Sequence, residues 1–448
     1  MNREERIMKT IGLDIGTTTI SGVVLDNQSR SVVQARTIAN GSFIDTGKDW
    51  ERIQDVSVII PKAKALVDEL LEQYPDVEAI GLTGQMHGIL YLDEEGRCIS
   101  PLYTWQDGSG DLPVECLGGK TTVEWLRDEY GLPAATGFGL VTNLYHTKTG
   151  NVPAGAKCLC TIEDHLGMQL TGRKRPLVHS SNAASFGLYD SENGGFRKDV
   201  IRSCGMDVDM LPEVTDALAI LGEYRGLPVS VALGDNQASF MGSVGMEKEC
   251  WLLNVGTGGQ SSVLSDVFFE APGIESRPYV DGKYLLAGSS LCGGRSYAIL
   301  EKFFRAYAKA LGAEDREQYA VMEELIRGAD LHADHMNVVT KFKGTRTDPN
   351  VRGSISGLSE DNFTPQSMII GVLTGIAQEL YDMYSLIHEG TGIRVNRLLG
   401  SGNGVRRNKT LQAIFSDMFG SKLELSPYEE EAASGAAVSA ASAAEKQG

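Results

Sequence analysis

Two segments in opposite halves of this 448-residue chain repeat one pattern of apolar strand, glycine turn and second strand. In residues 11–26 the run IGLDI leads into GTTT and then into a second apolar run. In residues 251–264 the run WLLNV leads into GTGG and a second strand. Because a repeated supersecondary unit indicates a duplicated domain, the pattern predicts two related α/β domains.

The composition of the first turn suits a phosphate group. Gly16 permits a tight reversal, and Thr17 and Thr18 supply N–H and O–H donors. Asp14, two residues earlier, is placed to hold Mg²⁺ through water beside bound phosphates. A solvent-facing hairpin with a polar tip explains this turn equally well by itself, and the second copy favours the phosphate-binding interpretation.

Length and charge exclude several classes of protein. The chain is long enough for two domains, and its net charge of −18 argues against a nucleic acid or an anionic membrane as the main partner. Seven cysteines, an odd number, indicate reduced thiols. Without an apolar signal core or a run long enough to span a bilayer, the sequence predicts a cytoplasmic protein.

Polar residues follow a predicted strand at 77–82 in the run TGQMHG, which contains Gln85, Met86 and His87. Ligand groups in α/β proteins lie at this end of a strand. The segment PLYTWQDG adds Trp105 and Asp107, which offer a flat apolar face and acceptors suited to a sugar. A core tryptophan, a structural histidine and a turn explain these residues better when each is taken alone.

A predicted strand at 229–233 ends at Asp235 and Asn236. An aspartate at this position can accept a hydroxyl proton during phosphoryl transfer. A helix N-cap explains Asp235 slightly better on local pattern alone. We also expect helix over 158–170, and either a turn or a loop closing over the ligand at 180–185.

A glycine-rich turn enters an amphipathic helix at 288–304, GSSLCGGRSYAILEKFF. Backbone N–H groups at such a helix start suit contact with a nucleotide. A simple turn with a helix cap explains this segment equally well.

The chain resembles the FGGY family of carbohydrate kinases in the order of its motifs: the two hairpins together with TGQMHG, WQD and GDNQA. This family is part of the actin, sugar kinase and heat-shock ATPase superfamily. The resemblance extends from about Thr10 to the last helix. It includes the block at 342–358, the adenosine-type signature LGSGNGVRRN and an Ala/Gly-rich helix at 430–444. The TGQMHG and WQD pair is most similar to sedoheptulokinases and xylulokinases, and the GSGN…RN form favours the former.

This resemblance implies an α/β fold of two ribonuclease-H-like, actin-like ATPase domains. Each would hold a mixed sheet flanked by helices, with the active-site cleft between them. The N-terminal FGGY domain would span residues 1–228, and the C-terminal domain would span 229–448. The implied reaction is ATP-dependent phosphorylation of a ketose, with ATP and Mg²⁺ as cofactors and Asp235 as general base.

The resemblance also implies roles for the remaining site residues. Asp14 would hold Mg²⁺ through water, and Thr17 and Thr18 would meet the phosphates. The implied sugar contacts are Gln85, Met86, His87, Trp105, Asp107 and Asn236. The implied nucleotide contacts in the second domain are Thr257, Gly293, Gly294, Gly402, Asn403 and Asn408.

One departure from the family pattern affects substrate choice. Many relatives have an arginine soon after the WQD motif, where this chain has Gly108 and Ser109. A xylulokinase, or a kinase for another ketose or polyol, therefore remains the main alternative. A nucleotide-dependent switch without kinase activity is the alternative from another class, and GDNQA argues against it. The sequence does not fix the oligomeric state and leaves a homodimer open.

Overall fold

A computed structural model of the protein describes residues 8–345, 348 and 350–446. Their contacts divide the chain into two compact units. The first contains the described residues up to Gly245, the segment Arg277–Lys283 and the described residues from Glu430 onward. The second contains Met246–Ser276 and the described residues from 284 to 429. The domain boundary expected between residues 228 and 229 stays a prediction.

Both units contain strands and helices. The strands are β1 (Lys9–Ile15), β2 (Thr19–Asp26), β3 (Ser31–Ala39), β4 (Phe43–Ile44), β5 (Ile53–Gln54), β6 (Ala79–Gly84), β7 (Leu90–Leu92), β8 (Leu102–Tyr103), β9 (Cys158–Cys160), β10 (Leu177–His179), β11 (Glu213–Thr215), β12 (Ile220–Tyr224), β13 (Leu227–Ser230), β14 (Leu233–Gly234), β15 (Cys250–Val255), β16 (Gly259–Ser265), β17 (Ile274–Pro278), β18 (Tyr284–Ser290), β19 (Asn337–Val339), β20 (Ser354–Ser356), β21 (Arg397–Ser401) and β22 (Leu423–Leu425). The helices are α1 (Val56–Gln73), α2 (Thr122–Tyr130), α3 (Gly139–Thr149), α4 (Ile162–Thr171), α5 (Ser180–Ser185), α6 (Lys198–Ser203), α7 (Asp235–Ser243), α8 (Gly294–Ala310), α9 (Tyr319–Leu325), α10 (Pro365–Thr391), α11 (Asn403–Arg406), α12 (Lys409–Met418) and α13 (Glu431–Glu445).

The first unit is built on a seven-stranded sheet with β1 near its centre. The order is β12-β13-β6-β1-β2-β3, and β14 also pairs with β6. β1 runs antiparallel to β2 and parallel to β6. Its side chains Ile11, Leu13 and Ile15 are fully buried, as expected for a central strand covered on both faces.

Helices α1 and α13 cover opposite faces of this sheet. Gly12 faces α13, where an added Cβ would lie 1.8 Å from the carbonyl oxygen of Ala433. Gly22, the cross-strand partner of Leu13, faces α1, where an added Cβ would lie 2.8 Å from a Leu70 methyl group. Because successive strand residues point to opposite faces, the two helices lie on different sides. Glycine in the strand and alanine in the predicted C-terminal helix permit this close packing.

The second unit contains a six-stranded sheet in the order β17-β18-β16-β15-β21-β22. Its inner order β18-β16-β15-β21-β22 repeats the order β3-β2-β1-β6-β13 of the first sheet. The strand directions also match: the first two pairs are antiparallel and the next two parallel in both sheets. The duplication predicted from the two hairpins is therefore confirmed.

Three local expectations are corrected. Residues 158–160 form β9 and not the start of a helix, because they are buried and pair with β7; α4 begins only after Thr161 caps it. Residues 180–185 form the short helix α5. The strand expected at 229–233 is split into β13 and β14.

The family-like block at 342–358 includes residues 346, 347 and 349, which lie outside the described part of the chain. Within the part that the structure describes, no helix has both the length and the apolar character needed to cross a bilayer.

Candidate active site

The carboxyl ends of three parallel strands meet at one edge of the first sheet. Ile15 of β1 pairs with Gly84 of β6, and Gly84 pairs with Gly234 of β14. Ile15, Gly84 and Gly234 thus form one row across the three strands. Asp14 precedes this row by one residue, and Asp235 follows it by one residue. The sequence placed both carboxylates at strand ends, and the register brings them to the same edge.

Asp235 is the first residue of α7, and the N-cap position is occupied by Gly234. The alternative that Asp235 is present to cap the helix therefore does not hold. The Asn236 amide donates to its carboxylate at 2.8 Å. Burial raises the pKa of Asp235 to about 6, against the opposing effects of Asn236 and of the Arg277 guanidinium. The carboxylate is thus mostly ionised at neutral pH but more basic than an exposed aspartate.

Asp14 lies in a region of concentrated negative charge. Burial, followed by the neighbouring carboxylates of Asp235 and Glu430, raises the pKa of Asp14 to about 7. A carboxylate whose ionisation is opposed in this way fits a site for a divalent cation, which would supply the missing positive charge. In the described residues no three His, Cys, Asp or Glu side chains are grouped to ligate a metal directly. The binding of Mg²⁺ to Asp14 through water stays a prediction.

A closed ring of hydrogen bonds joins the first glycine turn to the predicted sugar residues. Thr17 donates to Gln85 Oε1 at 3.2 Å, and Trp105 Nε1 donates to Thr17 Oγ1 at 3.0 Å. Gln85 Nε2 donates to Gln54 Oε1, and Gln54 Nε2 donates to the Thr17 carbonyl, both at 2.8 Å. Trp105 remains about half exposed and is therefore accessible to a ligand. Thr18, next in the turn, is exposed.

Met86 and His87 extend the site on the other side of Gln85. Met86 is buried against Gly234, where an added Cβ would lie 2.7 Å from the Met86 sulfur, so a larger residue at 234 would displace the Met86 side chain. The Asn236 amide lies 3.5 Å from the same sulfur. His87 has φ = 74°, a left-handed conformation that is uncommon for a non-glycine residue. Its ring stacks on Phe138 at 4.7 Å.

Asp107 is buried and is hydrogen-bonded by the protein itself. Its carboxylate accepts the backbone N–H groups of Arg52 at 3.2 Å and Ser109 at 3.0 Å. These bonds fix the loop that carries Trp105 and link it to the segment before Gln54. The direct sugar contact predicted for Asp107 stays a prediction.

Three glycine-containing segments converge in the second unit. The turn after β15 packs on the start of α8: the Gly294 N–H donates to the Gly256 carbonyl at 2.9 Å, and an added Cβ on Gly293 would lie 2.1 Å from the Gly258 carbonyl oxygen. Gly402, with φ = 80°, packs against the carbonyl of Val255. Only glycine permits these close approaches, which bring the three segments together.

The side chains predicted to contact the nucleotide have different surroundings. Thr257 and Asn403 are exposed. Asn408 caps α12, accepting the Leu411 N–H at 2.9 Å. Asn254, the counterpart of Asp14, donates to Ser401 at 2.7 Å. The nucleotide role of Asn408 stays a prediction.

Sequence reasoning missed Gln54, Glu163 and Arg277. Gln54 lies on a two-residue strand, which is too short to show a hydrophobic pattern. Its side chain is completely buried, and nothing in the local sequence indicates this burial. Glu163 is buried behind Gly84, 2.9 Å from an added Cβ there, in a segment that looked like an apolar helix. Burial, and then the neighbouring Asp164, raise the pKa of Glu163 well above its usual value.

Comparison with known proteins agrees with this arrangement. Two models of the FGGY family of carbohydrate kinases match the chain, the N-terminal domain over residues 9–242 and the C-terminal domain over 253–444. Sedoheptulokinase of Mus musculus is 28% identical, with 90% of this chain and 91% of that protein covered. The human sedoheptulokinase is 27% identical, with the same coverage.

A solved structure shows the same fold. The xylulose kinase of Rhodospirillum rubrum matches with a TM-score of 0.80 at 20% identity, covering 97% of this chain and 90% of that one. The fold therefore consists of two α/β units of the ribonuclease-H-like, actin-like ATPase type, related to each other by duplication. With both family models matched along most of its length, the chain belongs to the FGGY family of carbohydrate kinases.

Proposed function

We propose that this carbohydrate kinase phosphorylates a ketose of the sedoheptulose type, with Asp235 as the general base. The observation that carries the proposal is the position of Asp235, at the strand edge that also holds Asp14 and Gln85. A pKa of about 6 suits a base that is ionised at neutral pH and still accepts a proton. The similarity to two sedoheptulokinases supports the choice of sugar.

In the proposed reaction, Asp235 takes the proton of a terminal primary hydroxyl of the sugar. The hydroxyl oxygen then attacks the γ-phosphorus of ATP, and the bond from that phosphorus to the oxygen of ADP breaks. The Asn236 amide, at 2.8 Å, holds the carboxylate in one orientation for this transfer. Positioning and charge supply most of the rate, as in other phosphoryl transfers.

Asp14 is proposed to hold Mg²⁺ through water. When bound, Mg²⁺ would neutralise part of the phosphate charge. Thr17 and Thr18 then orient the phosphates with the N–H and O–H groups of their turn. The Thr17 hydroxyl oxygen also accepts a hydrogen bond from the Trp105 N–H, so the phosphate turn and the sugar site share one hydrogen-bond network.

The sugar is proposed to lie on the exposed face of Trp105, within reach of the amides of Gln85 and Asn236. Carboxamides suit a polyhydroxylated ligand because each offers both donors and acceptors. Met86 and His87 would form the wall opposite Trp105, and Asp107 would complete the site. The proposed nucleotide contacts are Thr257, Gly293, Gly294, Gly402, Asn403 and Asn408.

We also propose a cytoplasmic location. All seven cysteines are free thiols, which fits a reducing compartment. ATP, the proposed phosphoryl donor, is available there. A functional fusion to a fluorescent protein that fractionated outside the cytoplasm would contradict this proposal.

The proposed function is tested by ADP release with Mg²⁺ and ATP across a panel of acceptors. The panel contains sedoheptulose, D-xylulose, L-ribulose and glycerol. We expect the highest kcat/KM with sedoheptulose. Preference for D-xylulose or glycerol would overturn the choice of sugar but leave the kinase assignment intact.

Trp105→Ala is expected to raise the KM for the sugar about tenfold, the loss of about 1.4 kcal/mol of binding. The KM for ATP should rise far less, because Thr17 and Thr18 remain in place and the other proposed nucleotide contacts lie in the second unit. Steady-state kinetics with each substrate varied in turn measures the two constants. Trp125→Ala, which removes a tryptophan from α2, is the matched control. Equal increases in both constants would place Trp105 outside the sugar site.

The rate should depend on pH through Asp235. Because its pKa is raised to about 6, we expect kcat/KM for the sugar to be flat above pH 7 and to fall on the acid side of pH 6. The fall reflects protonation of the base, so it should approach tenfold per pH unit. A profile measured at saturating Mg²⁺ that stays flat down to pH 5 would contradict the base role.

A further inference from the structure

Three cationic side chains meet in one pocket of the second unit. The pocket has a volume of about 460 Å³ and is lined by Arg295, Lys343 and Arg352 together with Leu291 and Phe342. All five residues belong to the second unit. We call this feature the cationic pocket. Because like charges repel, a cluster of cations in a chain of net charge −18 indicates a site for an anion.

The protein does not neutralise the cationic pocket itself. Among the described residues that line the pocket there is no carboxylate. Glu379 lies close by in the structure, but it accepts the hydroxyl groups of Ser290 at 2.8 Å and Thr340 at 3.4 Å. Within the described part of the chain, Arg295 and Lys343 form no ion pair. Their positive charge is therefore available to a ligand.

The cationic pocket adjoins the second glycine turn. Arg295 is the second residue of α8, and its N–H donates to the Thr257 carbonyl at 3.1 Å. The preceding Gly294 N–H donates to the Gly256 carbonyl at 2.9 Å. The N-terminal end of α8 adds partial positive charge at the same place. The pocket thus begins beside the residues proposed to contact the nucleotide.

Neither glycine turn has a cation of its own. Residues 11–26 and 251–264 contain no lysine and no arginine. Asp14 and Asp235 are close enough to oppose each other's ionisation, so the first turn lies in negative surroundings. A triphosphate adds several negative charges, and one Mg²⁺ offsets only part of them. Because phosphoryl transfer depends on positive groups beside the phosphates, further cations have to come from outside the turns.

We propose that the cationic pocket binds a phosphate group of a small ligand through Arg295, Lys343 and Arg352. Arginine suits this role because its planar guanidinium can donate two parallel hydrogen bonds to a phosphate. The neighbouring turn makes the polyphosphate chain of the nucleotide the expected source of the group, and a free phosphorylated metabolite is the other source. The inference rests on the proposed nucleotide site and is independent of the sugar and of Asp235.

Calorimetry without sugar tests the proposal. The probes are adenylyl imidodiphosphate with Mg²⁺, adenosine, and inorganic phosphate. The double variant Arg295→Gln, Lys343→Gln should bind adenylyl imidodiphosphate about tenfold more weakly than the wild type does, and adenosine equally well. The matched control Lys302→Gln, Arg327→Gln removes two exposed cations of the same unit and should bind every probe as the wild type does.

The remaining outcomes identify the ligand or overturn the proposal. Weaker binding of inorganic phosphate, with adenylyl imidodiphosphate unaffected, would assign the pocket to a free phosphorylated metabolite. Unchanged affinity for both phosphate-bearing probes would overturn the proposal, as would a wild type that binds neither. Equal weakening of adenosine and adenylyl imidodiphosphate would show a structural effect and would also overturn it. Because sugar is absent, the test can succeed even if no sugar is phosphorylated.

Salt dependence provides a second measurement, which a merely structural role of these side chains would not change. The affinity of the wild type for the phosphate-bearing probe should fall with added KCl more steeply than that of the double variant. Arg295→Lys, which keeps the charge, should bind this probe more tightly than Arg295→Gln does. Equal salt dependence of wild type and double variant, or equal affinities of the two single variants, would show that charge at this pocket does not bind the ligand.

Discussion

Asp235→Asn is expected to lower kcat by about 10²–10⁴-fold while leaving ATP binding nearly intact. Asparagine keeps the size of the side chain and can still bond to Asn236, but it cannot accept the hydroxyl proton. Steady-state kinetics gives kcat, and calorimetry gives ATP affinity. Asp199→Asn, an exposed aspartate of α6, is the control and should retain wild-type activity. A variant that keeps most of its turnover would remove Asp235 from the base role.

The same variant should be more stable than the wild type at pH 8. Folding raises the pKa of Asp235 from 3.8 to about 6, so its ionisation destabilises the folded state as pH rises through that range. Removing the charge should therefore raise the free energy of unfolding by on the order of 3 kcal/mol at pH 8. The gain should disappear below pH 4, where both states are protonated. Urea unfolding at the two pH values measures it, and an equal gain at both would show a cause other than ionisation.

Asp14→Asn is the second variant with a large expected effect. We expect kcat to fall about 10²–10³-fold, because the charge that we propose orients Mg²⁺ at the transferring phosphoryl group is lost. The Mg²⁺ concentration needed for half-maximal activity should rise as well. Activity is measured as a function of Mg²⁺ at fixed ATP.

Asp26→Asn is the matched control for Asp14. Asp26 lies at the far end of the same strand pair, where it accepts the N–H groups of Gln28 and Ser29 in a surface turn. Loss of the Asp26 carboxylate should leave the Mg²⁺ dependence of the activity unchanged. An Asp14 variant with the same Mg²⁺ dependence as wild type would place the metal elsewhere.

The sequence predicted the duplicated architecture because the two hairpins are local patterns. The strand of residues 11–15 and the Ala/Gly-rich C-terminal helix both have a clear pattern or composition. The structure confirms both. The position of Asp235 at a strand end was also predictable, since an apolar run precedes it.

The sequence could not predict contacts that depend on tertiary packing. Gln54 joins Gln85 and Thr17 through bonds across three segments, and no local pattern marks it. Residues 158–160 have no strand signal of their own and become β9 by pairing with β7. Arg277 lowers the pKa of Asp235 although the two residues are distant in sequence. The effect arises because the segment Arg277–Lys283 belongs to the first unit, whereas the residues on both sides of it in sequence belong to the second.

The most direct test of the central claim is ³¹P NMR of a reaction containing the protein, ATP, Mg²⁺ and sedoheptulose. We predict a new phosphomonoester signal, coupled to the protons of a terminal CH₂ group, that grows in step with ADP. ADP appearing with inorganic phosphate alone, at a rate unaffected by any sugar of the panel, would contradict the transfer reaction and favour a nucleotide switch.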